Sequence, residues 1–543
     1  MPELQEHDHQ VLHRYSRAIL HLRDRQRVGR LALGLGAGVS IDLGFPNWNQ
    51  LVERLALHNA LKDARVPSVA SLTIKTQALL QHLGKTLGNS FAASAEAERD
   101  VRYRWIQAIH EALYQGISRD PEDLVKSHPY IGYFLETIKN APLTINYNFD
   151  DSVERMLGSV YQAEQEHNNE RVYETTWDPS TQFRRTKGVI YHPNGFLPFN
   201  LIEGFSEHMV FSEGEYADQL IDVMSGHYAT LAAHLTNHTC LFLGLSLSDS
   251  TLKHLLRQNV HSNPGHPHYY VRYCNHDDDI PRDPHDAETL ANFDVYGVLT
   301  LHLTKPQMAS LGRLLSCSDS DLREAQSLLG LKRKYVYYIS GAVGSGKTSI
   351  IQHLKSLSTL SEWTDRRPAL LEKPHSQLSD AERGEVDNWV SKQFRRKNFR
   401  LLASQDSILA CDRTPIDPLA FTEPSDFLRR AQEHLAILQP SASGEALVPG
   451  HVILLIASAE ELMARAKERH KGATLEYLRT QQEAFRRLLQ CDAPTDSGAM
   501  PVTELSTSSR SLSSVVRAVC KIIHLGEYAE FDLASRLQEL AKQ

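Results

Sequence analysis

Leu31-Ala-Leu-Gly-Leu35 runs straight into Gly36-Ala37-Gly38-Val39-Ser40, and this junction decides how the first half of the chain is read. Five apolar residues make a buried strand. The Gly-Ala-Gly behind it lets the chain turn tightly into a helix, a geometry in which backbone N–H groups can approach phosphate oxygens. A second junction of this kind follows Tyr335-Val-Tyr-Tyr-Ile339, where Gly341-Ala-Val-Gly344-Ser345-Gly346-Lys347-Thr348 carries the full G-x-x-x-x-G-K-T spacing. That spacing is far more specific than two glycines after a strand. Two phosphate-binding turns in one chain predict two nucleotide sites.

Outward from the first turn, apolar runs recur at Pro142–Tyr147, Gly188–Tyr191 and Thr239–Gly244, separated by segments with helical periodicity. Strands alternating with helices predict a parallel, doubly wound α/β sheet with ligands at the carboxyl ends of the strands. The stretch from about 51 to 140 reads as a helical insert, since Leu51–Leu57 and Trp105–Leu113 place apolar residues at helical spacing. The expected division is a helical extension over 1–29, a first domain over 30–305, a linker over 306–332 and a second α/β domain over 333–543.

A chain of 543 residues exceeds one ordinary core. No apolar run approaches the ~18–20 residues that span a bilayer. The start, Met1-Pro-Glu-Leu-Gln-Glu, has no apolar signal core, so the expectation is a cytoplasmic protein. Six cysteines are scattered without a C-x-x-C pair, which supports neither a disulfide framework nor a zinc ribbon. The basic run Lys392–Arg400 could contact single-stranded nucleic acid, but a net charge of −8 favours its reading as a solvated helix face.

The first turn keeps company with Gly44-Phe-Pro46-Asn-Trp48, Asn148-Phe-Asp150-Asp151 with Glu154 beyond, His192-Pro-Asn194-Gly195 and Gly244-Leu-Ser246-Leu-Ser-Asp249. In this order the motifs resemble the sirtuin-fold, SIR2-like effector domains of bacterial anti-phage systems, over about residues 25–305. The resemblance implies a Rossmann-like domain that binds NAD⁺ through Gly36, Ala37, Gly38, Ser40, Gly44, Pro46, Trp48, Asp150, Asn194, Gly244, Ser246 and Asp249. It also implies that Asn148 orients a water at the anomeric carbon of the nicotinamide ribose, as scission through an oxocarbenium-like centre requires. An Asx turn capping the next helix is the structural alternative for Asn148. The family often places His immediately before the glycine of the fourth motif. This chain has Asn194 there, so His192, on the same strand face, is the candidate proton acceptor, against the alternative of a core histidine.

In the second half, Leu371-Glu372-Lys-Pro374, Cys411-Asp412-Arg413 and Arg465-Ala-Lys-Glu-Arg469 resemble the deoxyribonucleoside and thymidylate kinases over about residues 333–525. By that resemblance Glu372 is the base toward a nucleoside 5′-hydroxyl, Asp412 and Arg413 support the acceptor site, and Arg465 and Arg469 clamp the transferred phosphoryl group. Independently of it, the P-loop glycines Gly341, Gly344 and Gly346, with Ser345, should cradle phosphates. Lys347 should reach the β/γ oxygens of ATP, and Thr348 should hold Mg²⁺; it is the kinase resemblance that adds Asp412 to the metal.

Together these readings imply an NAD⁺-hydrolysing defence effector gated by a nucleotide sensor, and by resemblance a homo-oligomer. The sensor's ligand could be a deoxynucleoside, its monophosphate or ATP. The rival reading is a nucleoside or nucleotide kinase whose SIR2-like domain binds NAD or an ADP-ribose derivative only as a regulator.

Overall fold

The computed structural model describes residues 4–87, 95–178, 187–224, 228–247, 249–283, 285–372, 378–439, 446–467, 474–490 and 499–542. The chain divides into two compact units. The first holds Met1–Ser262 and Pro267–Leu329, the second Gly330–Gln543 with Asn263–His266. Both are α/β.

The first unit is built on seven strands: β1 Leu31–Leu35, β2 Thr144–Asn146, β3 Tyr173–Thr176, β4 Gly188–Tyr191, β5 Thr239–Leu243, β6 His268–Tyr273 and β7 Val298–Leu303. Their order across the sheet is β3-β4-β2-β1-β5-β6-β7, and every pairing is parallel. All five residues of β1 and of β5 are buried, as strands covered by helices on both faces must be. The chain leaves β1 toward β2 on one side and returns to β5 on the other. This reversal opens a crevice at the carboxyl ends of β1 and β5, where ligands of doubly wound sheets bind.

Between β1 and β2 the chain is helical, with helices at Trp48–Leu57, Leu72–Thr86, Ala95–Tyr114, Pro121–Lys126 and Leu135–Asn140. Asn47 caps the first of these by accepting from the Gln50 amide at 2.9 Å. Residues 306–332, expected to link the domains, are mostly helical: Lys305–Ser316 and Asp319–Leu328 both belong to the first unit. Their tie is to the opposite end of the sequence. Arg313 grips the fully buried Asp8 of helix Glu6–Arg27 with two nitrogens, at 3.0 and 2.7 Å. Removing Arg313 would strand the buried Asp8 charge.

The second unit carries β8 Tyr335–Gly341, β9 Ser358–Leu360, β10 Ile408–Asp412, β11 His451–Ile456 and β12 Val502–Ser506. Their order is β12-β11-β8-β10-β9, again wholly parallel. β8 is central and buried along its length, which places the P-loop at the middle of the sheet's carboxyl edge. Among the described residues no helix is long and apolar enough to cross a membrane, and five cysteines are free.

Candidate nucleotide sites

The carboxyl ends of β1, β2, β5 and β6 surround a cavity of about 1100 Å³. Small-molecule sites run to ~1000 Å³, so this one suits an extended ligand. Its lining brings together Gly36, Ala37, Gly38, Ser40, Pro46, Trp48, Asn148, Asp150, Asn194, Gly244, Ser246 and Asp249, motifs more than 200 positions apart. Gly44 and His192, also expected there, are not among the lining residues.

The glycine turn packs against the end of β5. The Gly36 and Gly38 amides donate to the carbonyls of Leu243 and Gly244 at 2.9 and 2.8 Å. Those two N–H groups are thus spent inside the fold, and the ones expected to meet phosphate are fewer than the sequence implies. A Cβ on Gly38 would stand 2.8 Å from the Gly244 Cα, a backbone atom that cannot step aside. Gly38 is there for close approach.

Asn148 follows β2 and points its amide nitrogen at the turn, donating to the Gly36 carbonyl at 2.9 Å. The carboxamide thereby bridges β1 and β2 and keeps its oxygen as an acceptor. Asp150 is buried and also lines the cavity. Ser40 Oγ donates to one carboxylate oxygen at 2.7 Å and the Ser152 amide to the other at 3.1 Å. Burial outweighs both bonds and lifts the Asp150 pKa above the usual carboxylate range. Asp249 accepts from the Leu252 amide at 2.7 Å, a capping role, and burial raises it too.

His192 departs from expectation. It is fully buried, with Nδ1 2.8 Å from the Asn148 carbonyl oxygen and Nε2 2.9 Å from Glu154 Oε1. Both ring nitrogens are committed inside the protein, so His192 is not placed to take a proton from a molecule in the cavity. Phe196 packs on the ring, 4.7 Å between centroids, and that cover is what local sequence alternation could not reveal. Asn194 does line the cavity, but its amide is also engaged. Nδ2 donates to the Tyr147 carbonyl at 3.2 Å and Oδ1 accepts from Gln219 at 3.1 Å.

Sequence reasoning missed the aromatic wall. Trp48 lies 5.2 Å from Phe211 and 5.9 Å from Tyr216, and Phe149 meets Phe211 edge-on at 5.6 Å. All four rings border the cavity. Such a wall offers stacking to a flat heterocycle, and no local motif announces Phe211 or Tyr216. Tyr130, from the helical insert, and Lys305, paired with Asp42 at 2.5 Å, were missed for the same reason.

In the second unit the P-loop wraps Lys347. Its ammonium donates to the carbonyls of Gly341 and Ala342 at 2.7 and 2.9 Å. Burial first, then Arg413, pull its pKa down to about 8. Thr348 Oγ1 donates to Asp412 Oδ2 at 2.8 Å, while Asp412 Oδ1 is buried with no partner. A hydroxyl beside an unsatisfied buried carboxylate oxygen is a hard oxygen set that fits Mg²⁺. Arg413 adopts φ 72°, rare for a residue with a side chain, and donates to Glu362 at 2.8 Å.

Around this core stand Ser340 and Gln481, which the sequence did not single out, and Lys397, which belongs to the run read as a solvated helix face but is buried. Ser340 donates to the buried Asp417 at 2.9 Å, Gln481 accepts from the Val343 amide at 3.0 Å, and the buried Lys397 donates to the Asp412 carbonyl. Arg465, expected to clamp phosphate, is tied to Glu461 at 3.1 Å and to the Thr507 hydroxyl at 2.9 Å. It would have to release both. Glu372 ends the short turn Ala369–Glu372; its side chain and Arg469 lie outside the described residues.

Residues 142–295 match the family model of the SIR2-like domain. Apart from residues 263–266, the matched segment falls in the first unit. The matched segment includes Asn148, Asp150, His192, Asn194 and Gly244. The Gly36–Ser40 turn lies before it and joins the matched segment through the pairing of β1 with β2 and β5. No curated protein matches the chain. Among solved structures, the deoxyadenosine kinase of M. mycoides with bound dATP is similar at 16% identity, over 34% of this chain and 96% of that one, with a TM-score of 0.27. The same kinase with dCMP and dCDP is similar at 13% identity over the same shares, with a TM-score of 0.26.

Proposed function

We propose that the SIR2-like domain hydrolyses NAD⁺ to ADP-ribose and nicotinamide, and that nucleotide bound at the P-loop gates it. The observation that carries this reading is the Asn148 carboxamide, anchored on the Gly36 carbonyl in the lining of the cavity. One end of the dinucleotide lies on the glycine turn and the nicotinamide ring against the wall of Trp48, Phe149, Phe211 and Tyr216. Asn148 Oδ1 accepts a hydrogen bond from the attacking water and holds it at the ribose C1′. The water oxygen bonds to C1′, the C1′–N bond breaks, and its electron pair returns to the pyridinium ring. The proton leaves to Asp150, which lines the cavity and which burial makes a better proton acceptor than an ordinary aspartate.

Lys347, Thr348 and Asp412 would bind ATP with Mg²⁺. A deoxynucleoside or its monophosphate is the class of second ligand for this domain. Gating requires that the trigger bind the active state more tightly than the resting one. Unrestrained hydrolysis would exhaust the cell's NAD⁺, which motivates the defence role and the fusion itself.

A second reading is favoured by Asn194. Both ends of its amide are engaged, so NAD or an ADP-ribose derivative would be bound without turnover, as the regulator of a nucleoside or nucleotide kinase. Nicotinamide release from NAD⁺, measured by chromatography on the wild type and on Asn148→Ala, with and without nucleotides, separates the two.

A further inference from the structure

Three consecutive carbonyls around Asn148 are held from one side. Asn194 Nδ2 donates to that of Tyr147 at 3.2 Å, His192 Nδ1 to that of Asn148 at 2.8 Å, and the Leu197 amide to that of Phe149 at 2.7 Å. The loop bearing Asn148 is thus laced to the segment after β4. The central lace is the only one whose donor is an ionisable ring, and that ring is itself held by Glu154.

We infer that Glu154 is a positioning residue for the proposed NAD⁺ cleavage, fixing the place of the Asn148 carboxamide through His192. This rests on the reading of the first unit as an NAD⁺ hydrolase. Glu154, on helix Ser152–Val160, is 4% exposed. Its Oε1 meets His192 Nε2 at 2.9 Å and accepts from Thr175 Oγ1 at 3.3 Å, while Oε2 is buried without a partner. A carbonyl oxygen only accepts, so His192 Nδ1 must carry its proton. The hydrogen at Nε2 is then shared with Glu154, and the imidazole is pinned at both ends.

Burial works against a charged imidazole, but Glu154 beside it prevails and His192 is held above its ordinary range. The other charged or titratable groups facing the pair are Asp150 and Asp151 after β2, Arg171 before β3 and Tyr173 on it. Without a hydrogen-bond partner at position 154 the ring loses its orientation. The Asn148 carbonyl then loses its donor, and the carboxamide drifts from the Gly36 carbonyl. Positioning errors of this kind fall on the chemical step more than on binding.

The test measures nicotinamide release per folded full-length protein for the wild type, Glu154→Gln, Glu154→Asp and Glu154→Leu. Gln preserves a hydrogen bond to a neutral His192, so its kcat stays within about fivefold of wild type. Leu removes the bond and lowers kcat by about 30-fold or more with KM changed less than threefold. Asp, one methylene short, falls between, and it supplies the readout if the Leu variant does not fold. Wild-type kcat in Leu or Asp, a loss confined to KM, or Gln as inactive as Leu would each overturn the inference. A wild type that releases no nicotinamide would instead overturn the proposed reaction.

Discussion

The imidazole of His192 donates from Nδ1 to the main-chain oxygen of Asn148 at 2.8 Å. A histidine spent on that bond braces the loop and does not serve the cavity as a base. In the proposed reaction the acceptor is then a group that lines the cavity, and Asp150 is the buried carboxylate nearest Asn148 in the chain. Asp150→Asn keeps one acceptor oxygen and should fold, yet nicotinamide release should fall by about two orders of magnitude, as for loss of a general base. Because burial raises the Asp150 pKa, the acid limb of the wild-type rate profile should lie above the usual carboxylate range. A rate–pH profile of kcat/KM checks this. An unchanged rate in Asp150→Asn would remove Asp150 from the mechanism.

Gly38→Ala should damage the turn through backbone contact alone. Its new Cβ would meet the Gly244 Cα at 2.8 Å and the Gly244 oxygen at 3.1 Å. The expected cost is about 1–3 kcal/mol, with weakened NAD⁺ binding. Gly84→Ala, on helix Leu72–Thr86 with nothing within 4 Å, should instead stabilise by roughly 0.5–1 kcal/mol. Thermal melts of the two variants should move in opposite directions.

Lys347 makes the stability of the ligand-free second unit depend on pH in a defined window. Its pKa is about 8 in the fold against an ordinary 10.5. Between those values the unfolded chain binds a proton that the native state lacks, so native stability rises with pH there. Denaturation of the wild type and Lys347→Met, compared at pH 7.5 and pH 10, should show the wild type gaining on the variant. Parallel behaviour would mean that the ammonium is not desolvated as the fold implies. ATP, by supplying phosphate charge, should abolish the difference.

Asp412→Asn should weaken Mg²⁺-dependent ATP binding about tenfold or more while sparing metal-free binding, because only the metal needs the carboxylate oxygens beside Thr348. Calorimetry with and without Mg²⁺ reads this directly. Equal loss in both conditions would assign Asp412 to the loop's structure.

Much of this architecture can be read locally. Gly36–Ser40 and Gly341–Thr348 are legible because a strand turning into a helix against another backbone admits few residue types. Gly38 beside Gly244 shows why. The linker was not legible. Helix Lys305–Ser316 looks like a connector until Arg313 is seen on Asp8, 305 positions away. The edge strand β3 has little apolar signal, since only Tyr173 of its four residues is buried. His192 lies on a strand end whose alternation gives a face but not a depth, and its cover by Phe196 and its tie to Glu154 are tertiary. The wall of Phe211 and Tyr216 belongs to the same class, assembled by packing from residues without a motif.

The central claim is that the anchored carboxamide of Asn148 serves NAD⁺ cleavage. Its most direct test is chromatographic: full-length protein is incubated with NAD⁺ and Mg²⁺, alone and with ATP, deoxynucleosides and their monophosphates, beside Asn148→Ala. The account predicts equimolar nicotinamide and ADP-ribose in at least one of these conditions, with Asn148→Ala silent in all while still melting cooperatively. NAD⁺ that is bound yet intact under every condition, or cleaved equally by Asn148→Ala, would contradict it.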